Sequence, residues 1–103
     1  ATPTIGTLPY PMISDRTGRF ADSLGILIHD SWVALRGSFV VDPSGVIRAY
    51  EVHDNGIGRD ASELLRKVQA AQFVAAHGDQ VCPARWRPGE KTLTPSTSLI
   101  GKL

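Results

Sequence analysis

The run "LRGSFVVDPSGVIRAYEV", residues 35 to 52, constrains the fold more than any other part of the chain. Two β-rich segments flank Asp42-Pro43-Ser44-Gly45. Proline at the second turn position presets φ and glycine at the fourth tolerates a left-handed backbone, so these residues predict a type I turn closing a β-hairpin. The first strand is wholly apolar from Phe39 to Val41, which predicts cover on both faces. Val46 to Val52 sets Arg48 and Glu51 among apolar residues, the pattern of an edge strand.

The strongest helical signal follows "GIGR". Asp60 is placed to accept from the first free N–H groups, and Glu63 three residues later completes a capping-box pattern. Leu64, Leu65, Val68, Ala71 and Ala75 mark one face of this helix, Arg66, Lys67 and Gln69 mark another, and Gly78 ends it. Upstream, residues 1 to 18 hold three prolines and two glycines, which favour extended chain with turns. Tyr10 to Ile13 reads there as a short strand and Asp15 to Gly18 as a turn. Phe20, Ala21 and Leu24 then predict a short helix ended by Gly25.

Beyond Gly78, prolines 83, 88 and 95 break any period, yet Val81, Trp86, Leu93, Leu99 and Ile100 are too apolar for a free tail. An arm docked on a surface satisfies both facts. The result is a mixed α/β chain whose single hairpin and helix bury little, so something further is expected to complete the core.

At 103 residues the chain fits one modest domain. Its 42% hydrophobic and 20% charged residues are ordinary for a globular protein, and no apolar run approaches the roughly 20 residues needed to span a bilayer. The formal charge of +1 provides no field for nucleic acid. With one cysteine, Cys82, no intrachain disulfide forms; a reduced compartment, an intermolecular bridge or an inert thiol remain open, with the cytoplasm as default. No signal peptide opens the chain, and an alanine start implies processing or sequence upstream. His29, His53 and His77 are spaced 24 residues apart, which matches no metal-ligand pattern, so they read as solvated or capping groups. "GIG" at 56 to 58 reads as a turn rather than a dinucleotide loop. Trp32 and Trp86 read as packing or interface anchors.

Four segments in order, "YPMISDRTG" (10 to 18), "ALRGSFVVDPSGVIRAYEV" (34 to 52), "GIGRDASELLRKVQAAQFVAAHG" (56 to 78) and "VCPARWRPGE" (81 to 90), resemble the C-terminal half of typical 2-Cys peroxiredoxins of the alkyl hydroperoxide reductase C type. The resemblance covers nearly the whole chain. It implies the C-terminal part of a thioredoxin-like fold, with residues 1–78 as a partial domain and 79–103 as the arm. The family's Pro-x-x-x-Thr-x-x-Cys motif, whose cysteine attacks peroxide, does not occur in this sequence.

The resemblance makes Cys82 the resolving cysteine, which condenses with the sulfenic acid formed on a peroxidatic cysteine of another chain. Arg85, Arg87 and Lys91 are expected to favour its thiolate, with Asp79 and Glu90 opposing. Arg36 is implied to stabilise the peroxidatic thiolate and peroxide oxygens, a role suited to a permanently charged fork of donors. Arg59 fits an anion near a helix N-terminus or, with better reason, a surface or interface ion pair. The resemblance further implies a homodimer joined through Val46 to Val52, a ring of dimers, and a thioredoxin-like or flavoprotein reductant, with no cofactor, metal, membrane or nucleic acid. The expected function is thiol-dependent reduction of hydrogen peroxide and alkyl hydroperoxides, the chain alone being inactive. The alternatives are a non-catalytic truncated paralogue that binds full-length peroxiredoxin and modulates its assembly, and a structural domain with an incidental thiol.

Overall fold

Asp42 organises the turn of the main hairpin in the structure, a computed structural model that describes residues 8–96. Its carbonyl accepts from Gly45 N–H at 2.9 Å, and its Oδ1 accepts from Ser44 and Val46 N–H at 2.9 and 3.0 Å. Gly45 takes φ +85°, the left-handed conformation that the turn demands of its fourth residue. Strands Arg36–Val41 and Ile47–His53, labelled β3 and β4 in chain order, pair antiparallel with Ser38 opposite Glu51 and Phe39 opposite Tyr50. An irregularity between Val40 and Val41 shifts the register next to the turn.

Contacts divide the chain into two compact units, Ala1–Ala34 and Leu35–Leu103. In the first, Gly18 N–H donates to the Asp15 carbonyl at 3.0 Å, forming the expected turn. The Asp15 carboxylate then accepts from Phe20 and Ala21 N–H at 3.1 and 2.9 Å and so starts α1, Arg19–Ser23. Gly25, at φ +74°, donates to the Asp22 carbonyl and Ile26 to that of Ala21, the two bonds of a Schellman motif, and its hydrophobic pair, Ala21 and Ile26, is buried. A short hairpin missed in the sequence follows, pairing β1 (Leu27–Ile28) with β2 (Val33–Ala34). Tyr10 to Ile13 is not a strand, because Pro9 and Pro11 remove donors and no described segment pairs with it.

In the second unit, α2 (Ala61–Ala76) packs on β3 and β4. Asp60 caps it as expected, its carboxylate accepting from Ser62 N–H at 2.9 Å. Glu63 does not complete a capping box; Arg66 holds it instead. Of the expected apolar face, Leu64, Val68 and Ala71 are half-buried, while Leu65 and Ala75 are exposed. The expected double cover of Phe39–Val41 is also corrected. Val41 is 53% exposed and Tyr50, stacked on Phe39, is 66% exposed, while α2 packs on this two-stranded sheet.

The segment after Gly78 is docked. Val81 and Leu93 exchange both backbone hydrogen bonds, at 2.7 and 2.9 Å, closing a loop that carries Cys82 and Trp86. Trp86 is 2% exposed and, with Ala21 and Ile26, makes up the buried apolar set of the described residues, a small core as expected. The expected anchors Leu99 and Ile100 lie outside the described residues. No described helix is long and apolar enough to cross a membrane.

Candidate active-site thiol

Cys82 is a free, half-buried thiol whose Sγ lies 3.9 Å from the Ala70 carbonyl of α2. It lines an open cavity of about 1190 Å³ between the hairpin, α2 and the arm, with Val40, Ala49, Val68, Ala71 and Val81 among its apolar walls. Burial pushes the thiol above its ordinary pKa, and the Arg66 guanidinium offsets part of that rise. Two expectations are corrected here. Arg66, and not Arg85, Arg87 or Lys91, is the cation whose charge acts on the sulfur. The net shift of the docked thiol is also upward, against the expected favouring of its thiolate.

Arg66, on the face of α2 marked by Lys67 and Gln69, has a side chain only 13% exposed. Glu63 accepts from Arg66 Nε at 3.1 and 3.0 Å and from Nη2 at 2.7 Å, and this pairing holds the Glu63 carboxyl below its ordinary pKa. Arg66 Nη1 donates to the Trp86 carbonyl at 3.3 Å. The i,i+3 acid–base spacing was the available signal for this pair. Trp86 packs at 5.1 Å from the Phe73 ring and donates its indole N–H to the Glu90 carbonyl at 3.1 Å, so it anchors packing as expected. Trp32 is 56% exposed, at φ +58°, over Gly18.

Arg36 begins β3 opposite His53, and its Nε donates to the Asn55 carbonyl at 2.8 Å. It does not line the cavity that holds Cys82, so the structure does not bring the two expected site residues together. Among the described residues Arg59 forms no ion pair within the chain: Nη1 donates to the Gly37 carbonyl at 2.7 Å and to Ser38 Oγ at 2.9 Å. His77 caps α2 through the Phe73 carbonyl at 3.0 Å. His29 is exposed beside Asp22. His53, neither solvated nor capping, is half-buried and braces the following turn through the Gly58 carbonyl. Near it, Glu51 Oε2 accepts from Lys67 Nζ at 3.2 Å while the buried Oε1 has no hydrogen-bond partner. Among the described residues no group of three or more His, Cys, Asp or Glu is arranged to hold a metal.

Comparison with known proteins matches residues 3–50 to the AhpC/TSA family and residues 70–102 to the C-terminal domain of 1-Cys peroxiredoxin. Alkyl hydroperoxide reductase C of Salmonella typhimurium is 53% identical over 100 residues, which are 97% of this chain and 54% of that protein. The Pseudomonas aeruginosa protein of the same name is 47% identical over 102 residues, 99% of this chain and 54% of the relative. Among solved structures, AhpC of Enterococcus faecalis matches with TM-score 0.75 and 54% identity, covering 81% of this chain and 50% of that one. Reduced 2-Cys peroxiredoxin of Plasmodium vivax matches with TM-score 0.77 and 32% identity over 84% of this chain and 44% of that one. The chain thus spans about half the length of the curated relatives it matches, and the match over 70–102 identifies that half as the C-terminal one. It therefore carries a match to the AhpC/TSA family over residues 3–50 and to the C-terminal domain of 1-Cys peroxiredoxin over residues 70–102, and shares about half its residues with alkyl hydroperoxide reductase C relatives over nearly its whole length.

Proposed function

We propose that this chain supplies the resolving half of a thiol peroxidase acting on hydrogen peroxide and alkyl hydroperoxides. A peroxidatic thiolate on another polypeptide attacks one peroxide oxygen; the O–O bond breaks, an alkoxide or hydroxide leaves and takes up a proton, and sulfur becomes a sulfenic acid. Cys82, as thiolate, then displaces hydroxide from that sulfur, which leaves as water once protonated, and a disulfide joins the two cysteines. The observation that carries this reading is the placement of a lone free thiol on a loop pinned to α2 by side-chain contacts rather than buried in a core. While docked, burial shifts the thiol's pKa upward; leaving the cavity removes that penalty and frees it to reach its partner.

Arg36, at the open end of the hairpin, has guanidinium donors beyond the one held by Asn55 and serves in this reading to stabilise the incoming thiolate and peroxide. Dimerisation through the β4 edge is supported by the exposure of Ile47, Tyr50 and Val52 along it. A ring of such dimers, a thioredoxin-like or flavoprotein reductant and a reducing cytoplasm complete the proposal. The division of the chain into residues 1–78 and an arm from 79 is part of the same proposal.

One observation favours a second reading: with Cys82 the only cysteine of its 103 residues, the chain cannot carry both thiol steps by itself, which suits a non-catalytic paralogue that binds full-length peroxiredoxin and modulates its assembly. Peroxide consumption with a dithiol reductant separates the two. The chain alone is expected to be inactive, and the N-terminal half of the Salmonella typhimurium relative, added as a separate polypeptide, is expected to restore turnover that Cys82→Ser abolishes. Turnover by the chain alone, or unchanged turnover with Cys82→Ser, overturns the resolving role.

A further inference from the structure

Arg66 reaches two things at once, the arm and the surroundings of the thiol. Glu63 holds its fork through Nε and Nη2, which leaves Nη1 directed at the Trp86 carbonyl, four residues beyond Cys82. A guanidinium is rigid and planar, so fixing two of its nitrogens fixes the third. The other charged groups lining the cavity are already paired: Asp42 with Arg48 at 2.8 Å, and Lys67 with Glu51. Apart from Arg66, the loop is held to α2 by the packing of Trp86 on Phe73 and by Cys82 Sγ against the Ala70 carbonyl, and it is closed on itself by the bridge between Val81 and Leu93.

We propose that Arg66 is a positioning residue for the resolving thiol: clamped by Glu63, it latches the Trp86 carbonyl and keeps the Cys82 loop seated on α2 until the sulfur is needed elsewhere. This rests on the reading that Cys82 works after leaving its seat. Arg66 belongs to α2 and remains behind when the loop departs, so it sets how often the thiol is released rather than how it reacts. A lysine at 66 keeps the charge but has no fork to be clamped, and Glu63→Gln keeps the guanidinium but loosens the clamp.

The test is the pH profile of Cys82 alkylation by iodoacetamide on the intact 103-residue chain, read beside hydrogen exchange at the Trp86 indole N–H. Arg66→Gln and Arg66→Lys are both expected to speed alkylation about three- to tenfold below the midpoint, the loss of one charge-assisted bond to a carbonyl. Both should move the midpoint down toward that of a solvated thiol and speed indole exchange, and Glu63→Gln should do the same to a smaller degree. Wild-type behaviour in Arg66→Lys would show that charge alone matters, and a midpoint that rises in Arg66→Gln with exchange unchanged would show that Arg66 acts only through its field. Either result, or no change in any variant, overturns the latch. If Arg66→Gln fails to fold, the other two variants decide the matter. The assay uses neither peroxide nor a second polypeptide, so the latch can fail while the resolving role stands, and the reverse.

Discussion

The indole of Trp86 lies 5.1 Å from the ring of Phe73, tilted at 53°, and this contact across thirteen residues holds the cysteine loop against α2. Trp86 is 2% exposed in a chain with few fully buried side chains, so its removal leaves a cavity the loop cannot refill. Trp86→Ala is expected to cost about 3 to 5 kcal/mol, seen as a lower urea midpoint, and to speed Cys82 alkylation. A loss under about 1 kcal/mol would show that the arm is not anchored there.

The docked thiol also carries a pH signature. Burial raises its folded pKa above the unfolded value, so the stability linked to the neutral form is complete below the ordinary thiol range and is lost as pH rises through the folded pKa. Urea melts between neutral and alkaline pH should show a decline that Cys82→Ser lacks. An equal decline in the variant would assign the effect to other groups.

Asp42 runs the opposite way. The Val46 N–H and, after it, Arg48 hold its carboxyl below the ordinary value, so its contribution is present above the unfolded pKa and is lost as pH falls through the depressed folded one. Asp42→Asn should destabilise the hairpin at neutral pH and flatten the acid limb of the stability curve, read by amide exchange of β3 and β4. An unaltered acid limb would contradict the assignment.

Gly18 takes φ +72°, and a Cβ there would stand 3.0 Å from Trp32 Nε1 and 3.1 Å from Leu27 Cδ2. Gly18→Ala therefore meets both a backbone penalty of about 1–2 kcal/mol and a clash. The expected outcome is a lower thermal midpoint with changed Trp32 emission.

The hairpin, its turn, α1 and the start of α2 were legible because each is encoded locally: Pro43 and Gly45 in the hairpin turn, Asp15 and Gly18 in the turn before α1, Asp60 as a cap, Gly25 as a stop. What escaped depended on contacts far along the chain. The sequence marks Arg66 only as part of a polar helix face, whereas Trp86 meets it from twenty positions away, and the cation beside Cys82 was sought among sequence neighbours although a neighbouring element supplies it. The burial of Phe39 to Val41 was overread, since apolar composition states what a strand can bury and not what covers it. The β1–β2 hairpin has only two residues per strand, too few for an alternating pattern.

Intact mass under non-reducing conditions tests the central claim most directly. The chain, the N-terminal half of the Salmonella typhimurium relative and one equivalent of hydrogen peroxide should give a single covalent complex whose linking peptide contains Cys82, absent with Cys82→Ser. A complex that still forms with the serine variant, or none at all when the two polypeptides bind each other, would contradict the account.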